Sequence, residues 1–337
     1  MKKILPVLFI LISSLAYSQI LTFEFNGIAG NETSVPSNSN DANLMSSSIS
    51  RGSDINASGN ANRFNSTQWT TGSSIDLNEY LSFTISPNAG YEFNVSSIDI
   101  NHQRSGTGPI SFAIRSSIDG FTSNLGTFSI TGDATTIQQS TINLTITNQS
   151  SAVEIRIYGF DSEGSSGSWG PGEGSGDDIV VNGSANCIAP TMAAMSFSAT
   201  NIGGTTMDLS FTRGNGDGGV LILAKEGAAV DAEPSEGVSY IANAAFGSGD
   251  EIGTGNFVVF NGIANGTNTA TGNISISGLT QLTNYHYAIY EYNATVPCYN
   301  FNELVGNATT ICDTPTDVLM LTALGKNGAA DIQWTDP

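Results

Sequence analysis

Few side chains in this sequence could carry chemistry, and they are dispersed. There are 2 histidines, His102 and His286, and 3 cysteines, Cys187, Cys298 and Cys312. A Ser-His-Asp relay needs a histidine between a nucleophile and a carboxylate, but no G-x-S-x-G turn is present, and the H-E-x-x-H of a zinc protease is also absent. Both histidines therefore read as surface or structural groups. Paired carboxylates could cleave glycosides, but 30 Asp and Glu are scattered along the chain and spacing selects no pair. Catalysis is not expected within these residues. The cysteines form no C-x-x-C pair and stand far in sequence from either histidine, which argues against zinc. An odd count leaves at least one cysteine unpaired, beside a single structural disulfide near a domain end.

Two constellations remain. Carboxylates and carbonyls are the ligands calcium prefers, and Glu24 in the first apolar run could meet Asp177 or Asp178 beside a later one; the competing reading leaves these acids solvated. The second constellation is aromatic. Trp69 and Trp169 stand in polar, Thr-rich or Gly-rich surroundings, where an indole can stack on a sugar ring while Tyr91, Arg104 or Asn65 add hydrogen bonds. Against this, Trp69 could plug one end of a sandwich and Trp169 cover its edge, with Arg104 and Arg115 paired to Asp119 to pin a loop.

The elements that must position these residues are strands. Only 12% of the 337 residues are charged and 38 are glycine, which argues against helical bundles, while a hydrophobic share of 39% allows real cores. The formal net charge is -20, a surface that repels nucleic acid and anionic lipid. Met1 to Ser18 has a basic start, an apolar run of about 12 residues and small residues before Gln19. That is a secretory signal and too short to span a bilayer, so a secreted chain with no membrane insertion is expected. From Ile20 to Val181, eight alternating runs separated by turn residues predict a two-sheet sandwich of jelly-roll type. A polar stretch from Gly27 to Asn78 offers only Leu44, Met45, Phe64 and Trp69 as anchors. Further alternating runs after Pro190, around the glycine-rich turn Arg213 to Gly219, predict a second all-β unit.

A repeat refines the boundaries. Cys312-Asp-Thr-Pro315-Thr316 follows Cys187-Ile-Ala-Pro190-Thr191 by 125 residues, and Met320 follows Met195 by the same offset. The expected plan is a signal peptide over 1–18, a jelly-roll-like β-sandwich over 19–186, a second domain over 187–311 and the start of a third over 312–337, in a fragment of a longer protein.

Gly278-Leu279-Thr-Gln-Leu-Thr283-Asn-Tyr285-His-Tyr287 resembles the tyrosine-corner signature of fibronectin type III domains, with Gln281 where the family usually has Pro. The resemblance implies that Tyr285 bonds back to the backbone in a structural role. Ile332-Gln-Trp334 resembles the early core strand of that fold, which implies a buried Trp334. Tyr240 to Gly249 and Ile252 to Gly262 resemble an elongated fibronectin-like repeat of large secreted proteins of the Bacteroidetes. Phe64 to Trp69, Phe83 to Tyr91, Arg104 to Pro109, Arg115 to Phe121 and Asp177 to Gly183 resemble their N-terminal β-sandwich. The function these features imply is adhesion or carbohydrate binding by a secreted, non-catalytic protein, with glycans or other cell-surface proteins as partners. The alternative is an accessory region of a secreted nuclease or protease whose catalytic domain lies beyond Pro337.

Overall fold

The computed structural model describes residues 18–130, 136–263, 271–313, 320–327 and 329–335. The chain divides into two compact units, Met1–Ile188 and Ala189–Pro337. The signal sequence expected over 1–18 lies almost wholly outside the described residues. Among them, no helix is long and apolar enough to cross a membrane, and the only helical element is the 3-10 turn Ser117–Asp119.

The first unit is an all-β sandwich. Its eight principal strands are Ser18–Phe23, Tyr80–Ile85, Tyr91–Arg104, Ser111–Ser116, Gly126–Ser129, Gln138–Gln149, Val153–Phe160 and Ile179–Cys187. Counted in chain order, they form one sheet in the order 1-8-3-6 and another in the order 5-4-7-2, the jelly-roll arrangement. Alternation decides the core: Leu81, Phe83 and Ile85 lie beside Ile155 and Ile157 on one sheet, and Ile98, Ile100, Ile179 and Val181 come from the other.

The long polar stretch after Gly27 is ordered by one arginine. Arg51 lies 3.7 Å from the centroid of the Phe64 ring, and it donates to the carbonyls of Glu32, Gly30 and Asn65 and to Ser66 Oγ. Leu44, Phe64 and Trp69 are buried, whereas Met45 is exposed and anchors nothing. Strand Ser48–Arg51 joins Tyr80–Ile85 and so extends the second sheet.

The second unit is a further sandwich. Strands Met195–Thr200, Met207–Thr212 and Thr271–Ile276 form one sheet; Asn256–Gly262, Gly219–Glu226, Asn284–Asn293 and Leu304–Thr309 form the other, with Cys298–Tyr299 also on Asn284–Asn293. Strand Gly219–Glu226 is buried on both faces. Val220, Ile222 and Ala224 pack with Phe211 and Tyr287 between the sheets, while Leu221 and Leu223 pack with Tyr290 and Tyr299 on the opposite face. Val230, Tyr240, Ala242 and Ile252 cover that opposite face, so the extra length after Glu226 builds a second core. A continuous apolar run is what a strand covered on both faces requires.

The Thr280 backbone N–H donates to the Tyr285 hydroxyl at 2.9 Å. Cys187 and Cys298 are disulfide-bonded, and Cys312 is free and exposed. Met320 opens a hairpin of Met320–Lys326 with Ala329–Thr335 in which Leu321 is the register partner of Trp334. The Trp334 side chain lies outside the described residues.

Candidate cation site

The first and last principal strands of the jelly roll are neighbours, with Phe23 opposite Ile179. Glu24 immediately follows the one and Asp178 immediately precedes the other, so sheet order brings together residues far apart in sequence. The Asp178 backbone N–H donates to Phe23 O at 2.8 Å. Its side chain is 1% exposed, and its two oxygens accept the N–H groups of Phe25 and Gly174, each at 2.9 Å. Gly174 has no room for a side chain: a Cβ there would stand 2.4 Å from Asn101 Nδ2 and 2.9 Å from Asp178 Oδ1.

Burial pushes the Asp178 carboxyl up to about 6, against the two backbone N–H bonds, and the adjoining Glu24 carboxylate adds to the rise through charge and a direct hydrogen bond. Glu24, Asn26, Asn62, Glu173 and Gly174 line an open polar cleft of about 330 Å³. Glu24 Oε1 accepts the Asn26 N–H at 2.9 Å, Asn62 Oδ1 accepts that of Gly27 at 2.8 Å, and Glu173 pairs with Arg63 at 2.8 Å. Asp177 is turned elsewhere, its Oδ1 accepting Asn38 Nδ2 at 2.6 Å. Of the three acids read from sequence, then, Glu24 and Asp178 meet and Asp177 does not. Asn62 and Glu173 had no sequence signal beyond an acid set among glycines, because the loops that carry them converge only through the fold.

The sugar-stacking reading of the aromatic constellation is corrected. Trp69 is 1% and Trp169 0% exposed; their rings meet edge-on at 5.8 Å, and Trp69 Nε1 donates to Ser66 O at 2.9 Å. Polar neighbours in sequence concealed two core residues. Arg104 is buried too, bonded to the carbonyls of Ser105 and Gly106 and to Glu163, and Asn65 is 2% exposed. Tyr91 and Arg104 occupy opposite ends of one 14-residue strand, about 40 Å apart, so they cannot share a site. Nor does Asp119 pair with either arginine: it accepts from Thr122 and Ser123, while Arg115 donates to Asn124 Oδ1 and Phe121 O.

His102 is structural and wholly buried. It lies among Phe112, Phe128 and Trp169, with Nε2 2.9 Å from Ser140 Oγ, and burial pushes its pKa down to about 4. His286 sits by Asn284 at 3.1 Å. Asp217 closes its glycine turn by accepting the Ala294 N–H at 2.7 Å. Cys187 and Cys298 offer no thiolate to a metal because both are disulfide-bonded.

Fold and site together define an all-β protein of tandem sandwiches with an oxygen-lined cleft in the first. No protein-family model matches the chain, and no curated protein matches it. Among solved structures, it is similar to the glycoside hydrolase domain of endo-D from Streptococcus pneumoniae R6, at 10% identity and a TM-score of 0.21 over 79% of this chain and 37% of that one. It is also similar to a beta-1,2-glucanase from Parabacteroides distasonis, at 11% identity and a TM-score of 0.23 over 88% of this chain and 40% of that one. The chain thus spans well under half the length of either enzyme. Likeness at these TM-scores assigns no activity to any residue here. With both indoles buried, the expectation of a non-catalytic adhesion or carbohydrate-binding protein, with its nuclease or protease alternative, is withdrawn.

Proposed function

We propose that the first sandwich is a cation-stabilised module of a secreted, multi-domain extracellular protein, in which calcium or a similarly hard ion fastens the first strand of the jelly roll to its last. The observation that carries this reading is the direct contact of the Glu24 and Asp178 carboxyl groups, one of them buried. Two carboxylates so placed need a shared proton or a bound cation. With Asp178 pushed up to about 6, a proton favours the pair in mild acid and a cation would favour it above that. The chemistry is of the right kind: the carboxylates of Glu24 and Asp178 are hard ligands, and water can complete the six to eight that calcium takes. Backbone strain supports the same place, since Asn62 and Glu173 adopt φ of 63° and 65°, a left-handed conformation unfavourable for a glutamate.

The second unit supports the resemblance to fibronectin type III domains through its three-stranded and five-stranded sheets and the bond from Thr280 to Tyr285. In this reading it is a spacer, and the likeness to secreted proteins of the Bacteroidetes rests on its sequence strings. Disulfide-bonded cysteines support an oxidising compartment.

Calcium added to chelator-treated protein at neutral pH should raise the melting temperature of the full chain by several degrees, through preferential binding to the folded state. The rise should vanish in Glu24→Gln. An unchanged melting temperature at saturating calcium would sink the proposal.

A further inference from the structure

Cations are scarce in this chain, at 10 Lys and Arg against 30 Asp and Glu. Four of those described have a carboxylate of their own: Arg63 has Glu173, Arg104 has Glu163, Arg213 has Glu291 and Lys225 has Asp231, while Arg51 donates to carbonyls and to Ser66 Oγ. Arg115 makes no ion pair among the described residues. Arg156 has only Glu154, two positions along its own strand, at 2.8 Å.

These two arginines are direct register partners on the neighbouring strands Ser111–Ser116 and Val153–Phe160. Residues alternating with them, Phe112, Ile114, Ile155 and Ile157, belong to the core, so both arginines project from the outer face of the sheet. Like charges directly opposite destabilise a strand pair. In a protein so rich in carboxylates, this pair is short of one.

Their surroundings hold them in place. The Arg156 guanidinium lies 4.1 Å from the Tyr80 ring centroid and 3.7 Å from that of Phe121, and that of Arg115 lies 5.8 Å from the centroid of Tyr158. Arg115 Nε donates to Asn124 Oδ1 and Nη1 to Phe121 O, both at 2.8 Å. Arg156 uses Nε and Nη2 on Glu154. Arg115 Nη2 and Arg156 Nη1 therefore have no hydrogen-bonded carboxylate or carbonyl among the described residues. Aromatic rings cover the guanidinium face of Arg156, which leaves the donor edge for an acceptor.

We infer that Arg115 and Arg156 together form a receptor for an oxyanion group, a carboxylate, sulfate or phosphate carried by a ligand lying on this outer face, with Tyr80 and Phe121 as its walls. Arg115, Arg156 and Glu154 leave one positive charge uncompensated in the cluster, and a bound oxyanion removes it. Charge-assisted, fork-like donation is the chemistry that guanidinium pairs offer such groups. The site is separate from the Glu24–Asp178 cleft, so failure of either reading leaves the other standing.

The test uses the full chain, titrated with sodium sulfate and separately with sodium acetate while chloride holds ionic strength constant. Arginine Nε–H resonances are followed by NMR. Saturable shifts confined to Arg115 and Arg156 are expected, weakened about tenfold in Arg115→Gln and partly restored in Arg115→Lys. Saturation by sulfate identifies a sulfate or phosphate ester as the ligand group, and saturation by acetate identifies a carboxylate. Circular dichroism accompanies each variant, because Arg156→Gln also empties the space between two rings; the conclusion rests on the Arg115 series. No saturable shift with either anion, or shifts of equal affinity in Arg115→Gln, would overturn the inference.

Discussion

Two buried carboxylates hold backbone turns in this protein, one in each unit, and they are neutralised in opposite ways. Asp178 accepts the N–H groups of Phe25 and Gly174, and Glu291 accepts those of Gly214 and Gly216 at 2.7 and 3.1 Å. Around Glu291 the chain supplies its own cation: Arg213 binds it at 2.8 and 2.7 Å, with the two side chains 1% and 0% exposed. Around Asp178 the charged neighbour is Glu24, of the same sign. One turn is therefore closed by a charge pair that the chain itself supplies; at the other, in the reading proposed above, the compensating charge comes from solution.

The largest effect expected is at the self-neutralised turn. Glu291→Gln leaves the Arg213 guanidinium buried and uncompensated, and should cost about 3–5 kcal/mol in urea denaturation. The double substitution Arg213→Met with Glu291→Leu removes both charges and leaves two turn N–H groups without an acceptor, a loss nearer about 1–3 kcal/mol. If the single substitution costs no more than the double, the pair is not what fixes the turn and the contrast fails.

At the other turn the expected sign depends on pH. Asp178 has a folded pKa raised above its unfolded value of 3.8 to about 6, so its protonated form favours folding. That contribution is complete below pH 3.8 and is lost as pH rises to about 6. Without divalent cation, the stability difference between Asp178→Asn and the parent should move in the variant's favour by about 1–2 kcal/mol as pH rises through this window, on top of a pH-independent cost for the turn N–H that an amide nitrogen cannot accept. With calcium present that movement should be suppressed. His102, pushed down to about 4 by burial, contributes with the opposite sign, since its stabilisation is lost as pH falls; being common to both proteins, it cancels in the difference. A flat difference between parent and variant across this window would show that the two carboxyl groups do not interact.

How much of this contrast could be read from sequence follows from distance along the chain. The eight jelly-roll strands were legible because alternation is local, and so was the meeting of Glu24 with Asp178, because first and last strands pair in that fold. Sequence left Asp177 and Asp178 as alternatives, because one residue in extended chain turns a side chain to the other face and only the fold selects between them. For the indoles, polar neighbours left sugar stacking and burial both open, and the opposite sheet decides for burial. The second core of the other unit was hidden in the same way: Leu221 and Leu223 gain partners only when the segment after Glu226 returns across the sheet. Arg213 stood in view beside its glycines, but nothing near it in sequence indicated Glu291.

A third turn offers a neutral acceptor against which both charged ones can be measured. The Tyr285 hydroxyl accepts the Thr280 N–H at 2.9 Å and lies 3.4 Å from Glu226 Oε2, in a ring that is fully buried. Tyr285→Phe keeps the packing and removes the acceptor together with the hydroxyl's long donation to Glu226, so it should cost about 1 kcal/mol, the net value of an ordinary hydrogen bond. Because no buried charge is left behind, that loss should be the same with calcium or chelator and should change little with salt. A cost approaching that of Glu291→Gln would mean that an unsatisfied turn N–H, rather than an unpaired charge, is the dominant penalty at all three turns. The distinction between self-neutralised and solution-dependent carboxylates would then carry less of the stability than their geometry suggests.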